Sequence, residues 1–169
     1  KTYLIDYDLQ EKKKTITPLE KFQKVLDFEY MGNNKNLLFS AVNRGQTDIY
    51  TMYKPTQRLQ RITKDVFDDL EPTYVEGGDF KGILFISNRN NDTLNLKGSH
   101  AYNAMSYDVF YYDLLKKRET LARITETPNI REYAPMAYNQ THFSFLSDYG
   151  LGSGNRFLSQ IDSLFARYD

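Results

Sequence analysis

With 169 residues, the chain is long enough to bury one ordinary core and short for two. Its 22 Lys and Arg balance 22 Asp and Glu, so no basic field is offered to nucleic acid or to an anionic membrane surface, and neither is expected as a partner. Cys is absent, which rules out disulfides and thiolate chemistry, while 14 Tyr and 11 Phe against five Pro favour pleated, half-buried surfaces and therefore an all-β fold.

No apolar run approaches the roughly 20 residues of a membrane span. The opening KTYLIDYDL is already strand-like at Lys1, with no signal peptide, and reads as a piece of a longer protein. A strand near Thr2 to Leu9 is followed by a second around Thr15-Ile16-Thr17. Thr17-Pro18-Leu19-Glu20 then has a capping-box pattern with Pro at the first helical position, which allows at most one helical turn over Pro18 to Gln23. Period-two alternation predicts strands over Leu26 to Met31, Leu37 to Val42, Asp48 to Tyr53 and Leu59 to Thr63, and again over Pro72 to Val75, Ile83 to Ser87, Asp108 to Leu114 and Thr120 to Thr125. Further strands follow near Phe143 to Ser147 and Arg156 to Ile161.

These elements repeat. Leu38-Phe39-Ser40 returns as Leu84-Phe85-Ile86-Ser87 and as Phe143-Ser144-Phe145-Leu146-Ser147, each ahead of polar turn residues. Asp48-Ile49-Tyr50 is answered by Asp108-Val109-Phe110, and Arg61-Ile62-Thr63 by Arg123-Ile124-Thr125. Thr17 precedes Phe39 by 22 positions, Thr63 precedes Phe85 by 22, and Thr125 precedes Phe145 by 20. The Thr-to-Thr period is 46 and then 62, the surplus lying in an insertion over 91–106. A unit of four short antiparallel strands cannot bury both its faces and must stack on neighbours, which is the logic of a β-propeller blade. The expected fold is a β-propeller segment of about three blades in an incomplete ring: residues 1–20 end one blade, 21–67 form the next, 68–130 form a blade with the insertion, and 131–169 begin a further one.

The pattern Pro72-Thr73-Tyr74, Gly82-Ile83-Leu84-Phe85-Ile86-Ser87-Asn88-Arg89, Asp108-Val109-Phe110 and Ile124-Thr125 resembles the TolB-type, or WD-like, β-propeller repeat, and it covers nearly the whole chain. In style the units are also similar to large envelope proteins of Bacteroidetes-type bacteria. The resemblance implies structural roles for Ser40, Asp48, Thr63, Pro72, Ser87, Arg89, Asp108, Thr125, Pro135 and Ser147. The Ser hydroxyls would satisfy loop backbone groups, and the Asp side chains would accept from turn N–H groups.

Chemistry is expected to be sparse. Asp65, Asp68, Asp69 and Glu71 crowd one connection but lack the alternate-residue spacing and turn Gly of a Ca²⁺ loop, so they read as turn-capping acids. Gly150 to Gly154 lacks both the Lys-Ser/Thr ending of a phosphate loop and the flanks of a nucleophile elbow. Two histidines, His100 and His142, are too few for a zinc site. No catalytic residue, metal or cofactor is assigned. Binding is expected at the insertion and the glycine-rich loop, through His100, Tyr102, Tyr107 and Tyr149, because Tyr offers large contact area at low entropy cost. The expected function is a non-enzymatic scaffold for protein–protein interaction in a bacterial cell envelope, periplasmic or envelope-associated, its partners being other domains of the same chain or an envelope complex. Two alternatives are the substrate-gating propeller of a prolyl oligopeptidase-type serine peptidase and a Ca²⁺- or glycan-binding propeller. Three-odd blades leave edges open, so the piece is expected to be held by neighbours.

Overall fold

The computed structural model describes residues 1–78, 80–96, 98, 106–139, 141–150 and 154–160. Thirteen strands among these residues form four antiparallel sheets in chain order. β1 (Tyr3–Asp8) pairs with β2 (Lys13–Pro18). β3 (Lys24–Met31), β4 (Asn36–Asn43), β5 (Gln46–Tyr53) and β6 (Arg58–Arg61) form a second sheet. β7 (Asp69–Gly77), β8 (Phe80–Ser87), β9 (Asp108–Asp113) and β10 (Ala122–Arg123) form a third. β11 (Glu132–Ala137), β12 (His142–Ser147) and β13 (Asn155–Gln160) form the last. Each sheet is a meander, so each is one blade, or part of one. β7 packs beside β3 on one flank and β11 on the other, which makes β3, β7 and β11 the inner strands around the axis.

Alternation within the strands builds the stack, because successive side chains point to opposite faces. In the second blade Leu37, Phe39, Tyr50 and Met52 face the first blade and pack with Leu4, Leu19 and Phe22. Leu38, Ile49 and Ile62 face the third, where they meet Ile83, Phe85, Phe110 and Tyr112. The third blade turns Val75, Leu84, Ile86, Val109 and Tyr111 toward Phe143 and Phe145 of the fourth. Each such fully buried side chain contributes about 1.5–3 kcal/mol, so the blades are held mainly by one another.

The segment after β2 is not a helix. β2 runs through Pro18, and a turn follows in which the Phe22 N–H donates to the Leu19 carbonyl at 3.0 Å. The capping-box pattern loses to packing: Phe22 is driven edge-on against Tyr50 and Phe39, with centroids 4.8 and 5.4 Å away. The insertion also begins differently from a loop tip. Asp92 to Leu94 runs along Glu119 to Leu121 outside β10, with a bridge between Thr93 and Thr120, and Leu94 enters the core between the second and third blades. Its opening residues therefore cover an outer sheet edge.

All three inner strands carry a register shift, at Val25/Asp27 in β3 and, as bulges that contain a proline, at Leu70/Thr73 in β7 and Tyr133/Met136 in β11. Pro72 and Pro135 occupy these bulges, each preceded by a residue with positive φ, Glu71 at 50° and Ala134 at 49°. A proline costs no ladder bond at a bulge, which accounts for its repeated position.

Candidate functional site

The polar repeat residues mostly tie the blades. Thr63 and Thr125 accept the N–H of Ile49 and Val109 through their hydroxyls, at 3.0 and 2.8 Å, fastening the fourth strand to the third. Asp48 and Asp108 each receive an arginine from the adjoining outer strand, Arg61 and Arg123, at 2.5 Å. These Asp residues therefore hold the outer strand, and Asp108 also accepts the Thr127 N–H of the following connection at 3.1 Å; among the described residues neither accepts from its own hairpin turn. Ser87 Oγ accepts from the Arg89 N–H and Nε at 3.3 and 2.9 Å, and Ser147 Oγ accepts from the Tyr149 N–H at 3.2 Å. Ser40 departs from this expectation. Opposite Asp48 stands Ala41, as Ser87 stands opposite Asp108, so Ser40 occupies the register of Ile86. Its hydroxyl is buried without a partner among the described residues.

At the connection between the second and third blades, Arg89 is fully buried. Its Nη2 reaches Asp69 Oδ1 at 2.9 Å and Asp65 Oδ2 at 3.3 Å, and its guanidinium carbon lies 5.2 Å from the Phe67 centroid. The guanidinium thus takes the place between Asp65 and Asp69 that a metal cation would need. Burial pushes the Asp69 carboxyl up, Arg89 pulls it down, and Asp65 pushes it up again. In the next connection hydroxyls take the acid: Glu132 accepts from the Thr127 and Thr125 hydroxyls at 2.5 and 3.1 Å and from Ser147 at 3.3 Å. Along the axis, Glu29 accepts from the Tyr74 N–H and from the Thr73 hydroxyl at 3.0 Å, while Glu71 accepts from the Ala134 N–H at 2.5 Å. These two acids line a groove of about 500 Å³ between the inner strands, with Phe28, Met136 and Arg156.

Antiparallel meanders place the connections between second and third strands, and those between blades, at one end of the molecule. That end is cross-tied. Gln46 Nε2 donates to the Phe67 carbonyl at 2.6 Å, the Asp68 N–H to Asn88 Oδ1 at 2.9 Å, and the Asp148 N–H to the Arg131 carbonyl at 3.1 Å. The four expected binding residues are not brought together in what is described. His100 and Tyr102 lie outside the described residues. Tyr149 is 60% exposed at this end, its carbonyl accepting from Asn155 Nδ2 at 2.8 Å. Tyr107 is half-buried against the core between the third and fourth blades, and burial raises its hydroxyl pKa. Tyr107 thus offers a partner less surface than Tyr149 does.

Tyr107 instead forms part of a cluster that no sequence motif marks. A parallel bridge joins it to Arg131, whose guanidinium carbon lies 6.0 Å from the Tyr107 centroid and 5.6 Å from that of Tyr133. The Tyr133 hydroxyl is so close to Gly154 that a Cβ there would stand 1.8 Å from it. The only available sequence signal was the spacing of Tyr107 just ahead of the repeat Asp and of Arg131 just ahead of the repeat acid Glu132.

No family model and no curated protein matches the chain. Solved structures do match in fold. TolB from Acinetobacter baumannii is 16% identical with a TM-score of 0.64, the match covering 93% of this chain and 35% of that one. Hydrazine synthase from Kuenenia stuttgartiensis is 14% identical with a TM-score of 0.65, over 91% of this chain and 26% of that one. The chain thus has a TolB-type β-propeller fold and spans about a third and a quarter of those two chains.

Proposed function

We propose that this chain is a non-enzymatic β-propeller scaffold that mediates protein–protein interaction in a bacterial cell envelope, as part of a larger protein. One observation carries the reading: the loop end of consecutive blades is cross-tied into a rigid platform that presents Tyr149 and Arg131 outward, while the repeat's own acids and hydroxyls are engaged in holding blades together. A rigid surface bearing Tyr and Arg is suited to protein contacts, because little side-chain freedom remains to be lost on association. The envelope setting is supported by the likeness of fold to TolB and by the similarity in style to Bacteroidetes-type envelope proteins. Among the described residues no helix is long and apolar enough to cross a membrane.

A photo-crosslinking residue at Tyr149, in intact cells, is expected to yield discrete protein adducts, and one at the exposed Lys116 of the opposite end is expected to yield none. Equal labelling from both ends, or none from Tyr149, would overturn the reading. The axial groove favours one alternative, a propeller that gates substrate for a serine peptidase; labelling of the parent protein by a fluorophosphonate serine-hydrolase probe would select it.

A further inference from the structure

We propose that Arg131, framed by Tyr107 and Tyr133, is a carboxylate-recognition site for an acidic segment of a protein partner; the assignment rests on the interaction reading of the loop end. Three of the other arginines described at this end have an internal acid. Arg61 is paired with Asp48, Arg89 with Asp65 and Asp69, and Arg123 with Asp108 and Glu126; the turn residue Arg44, at positive φ on a hairpin tip, and Arg156, whose Nη1 donates to Ser144 Oγ at 2.9 Å, have no acid within salt-bridge distance among the described residues. Arg131 is exposed, and among the described residues its guanidinium has neither a carboxylate within salt-bridge distance nor a hydrogen-bond acceptor. What it does have is two rings.

That combination is chemically specific. Cation–π contact, here at 5.6 and 6.0 Å, restrains a guanidinium without consuming its N–H donors, so its planar fork remains available for two parallel bonds to a carboxylate. The backbone beneath is also fixed: the Glu132 N–H donates to the Tyr107 carbonyl at 2.8 Å, and the Arg131 carbonyl accepts from Asp148. Arg44, by contrast, sits on a turn with no ring against its guanidinium among the described residues. A carboxylate is favoured over a phosphate by the neighbouring field. The Asp68 charge acts on Tyr107, and Asp148 is exposed next to Arg131, its N–H donating to the Arg131 carbonyl. A single negative charge is tolerated there more readily than the nearly doubled charge of a phosphate monoester.

The test is selection of a random phage-displayed peptide library on the chain, followed by binding measurements with Arg131→Ala, Arg131→Lys and Tyr149→Ala. Selected peptides are expected to share an Asp or Glu, whose replacement by Asn or Gln weakens binding about tenfold. Arg131→Ala should cause a similar loss that does not add to the peptide change, and Arg131→Lys should not restore it. An unchanged thermal midpoint for both Arg131 variants separates recognition from folding. Peptides that depend on Tyr149 but are indifferent to Arg131 would overturn this assignment and leave the interaction reading standing. Selection of no peptide would overturn both.

Discussion

Asp48 and Asp108 hold the same position in successive blades and take the same kind of arginine partner, yet their surroundings differ by one residue. Asp108 Oδ1 accepts from the Thr127 N–H at 3.1 Å and from the Thr125 and Thr127 hydroxyls. The counterpart of Thr127, two residues past the repeat threonine, is Asp65, an acid in place of a donor. Asp48 Oδ1 is accordingly buried without a partner among the described residues. Burial pushes its carboxyl up to about 7; Arg61 opposes the rise, while Asp69 and Asp65 add to it. Between pH 4 and 7 the folded state therefore holds a proton that the unfolded state has released. With fewer protons on the unfolded chain, stability falls as pH rises through this window and is level above it. Glu29, Asp69 and Glu132 shift in the same direction, so the informative quantity is a difference. Asp48→Asn is expected to flatten the decline in urea midpoint between pH 4 and 7 relative to the native chain. Parallel profiles would show that Asp48 is ionised throughout, held by Arg61.

At the scale of the strand, Gly82 shows what the repeat pattern encodes and what it conceals. A Cβ at Gly82 would stand 2.3 Å from Tyr111 Cζ, so the ring of β9 lies across β8 where only glycine leaves room. Gly82→Ala is expected to cost about 2 kcal/mol by overpacking, read as a lowered urea midpoint. Tyr111→Leu should recover part of that loss, and a strictly additive double mutant would refute the contact. The strands themselves were legible because alternation and turn residues are local signals, and the repeat raised them above noise. The glycine was visible in the motif; its reason, a ring two strand positions away on the neighbouring strand, was not. Local cues misled where packing outweighed them: the capping box at Thr17 to Glu20 yields to Phe22 beneath Tyr50, and Ser40 appeared equivalent to Ser87 until cross-strand pairing moved it by one residue. Arg131 stayed hidden because only Tyr133 is near it in sequence; Tyr107 reaches it through a parallel bridge between segments that the repeat spacing does not by itself pair.

For the whole molecule, each blade offers opposite faces to its two neighbours, so the stack is directional, and its two outermost faces are complementary in kind. On the first, Leu4 packs inward while Tyr3, Ile5 and Tyr7 of β1 point away, with Ile16 of β2 directly opposite Ile5; Ile5 and Ile16 are 56% and 54% exposed. On the last, Phe143 and Phe145 face inward, and Leu158, paired across from Ser144, is 61% exposed on the other side. β1 and β13 also each leave one strand edge unpaired among the described strands. Contacts between unlike faces are heterologous: they close into a ring or propagate, and they do not stop at a symmetric dimer unless geometry closes there. The isolated 169-residue chain is therefore expected to self-associate, with a sedimentation coefficient that rises with concentration. Ile5→Lys combined with Ile16→Lys places two charges on the first face and should shift the chain toward monomer with little change in thermal midpoint, because neither side chain is buried. A single sharp monomer boundary at all concentrations in the unmodified chain would mean that these faces are covered from within, and the expectation of a piece held by its neighbours would fall with it.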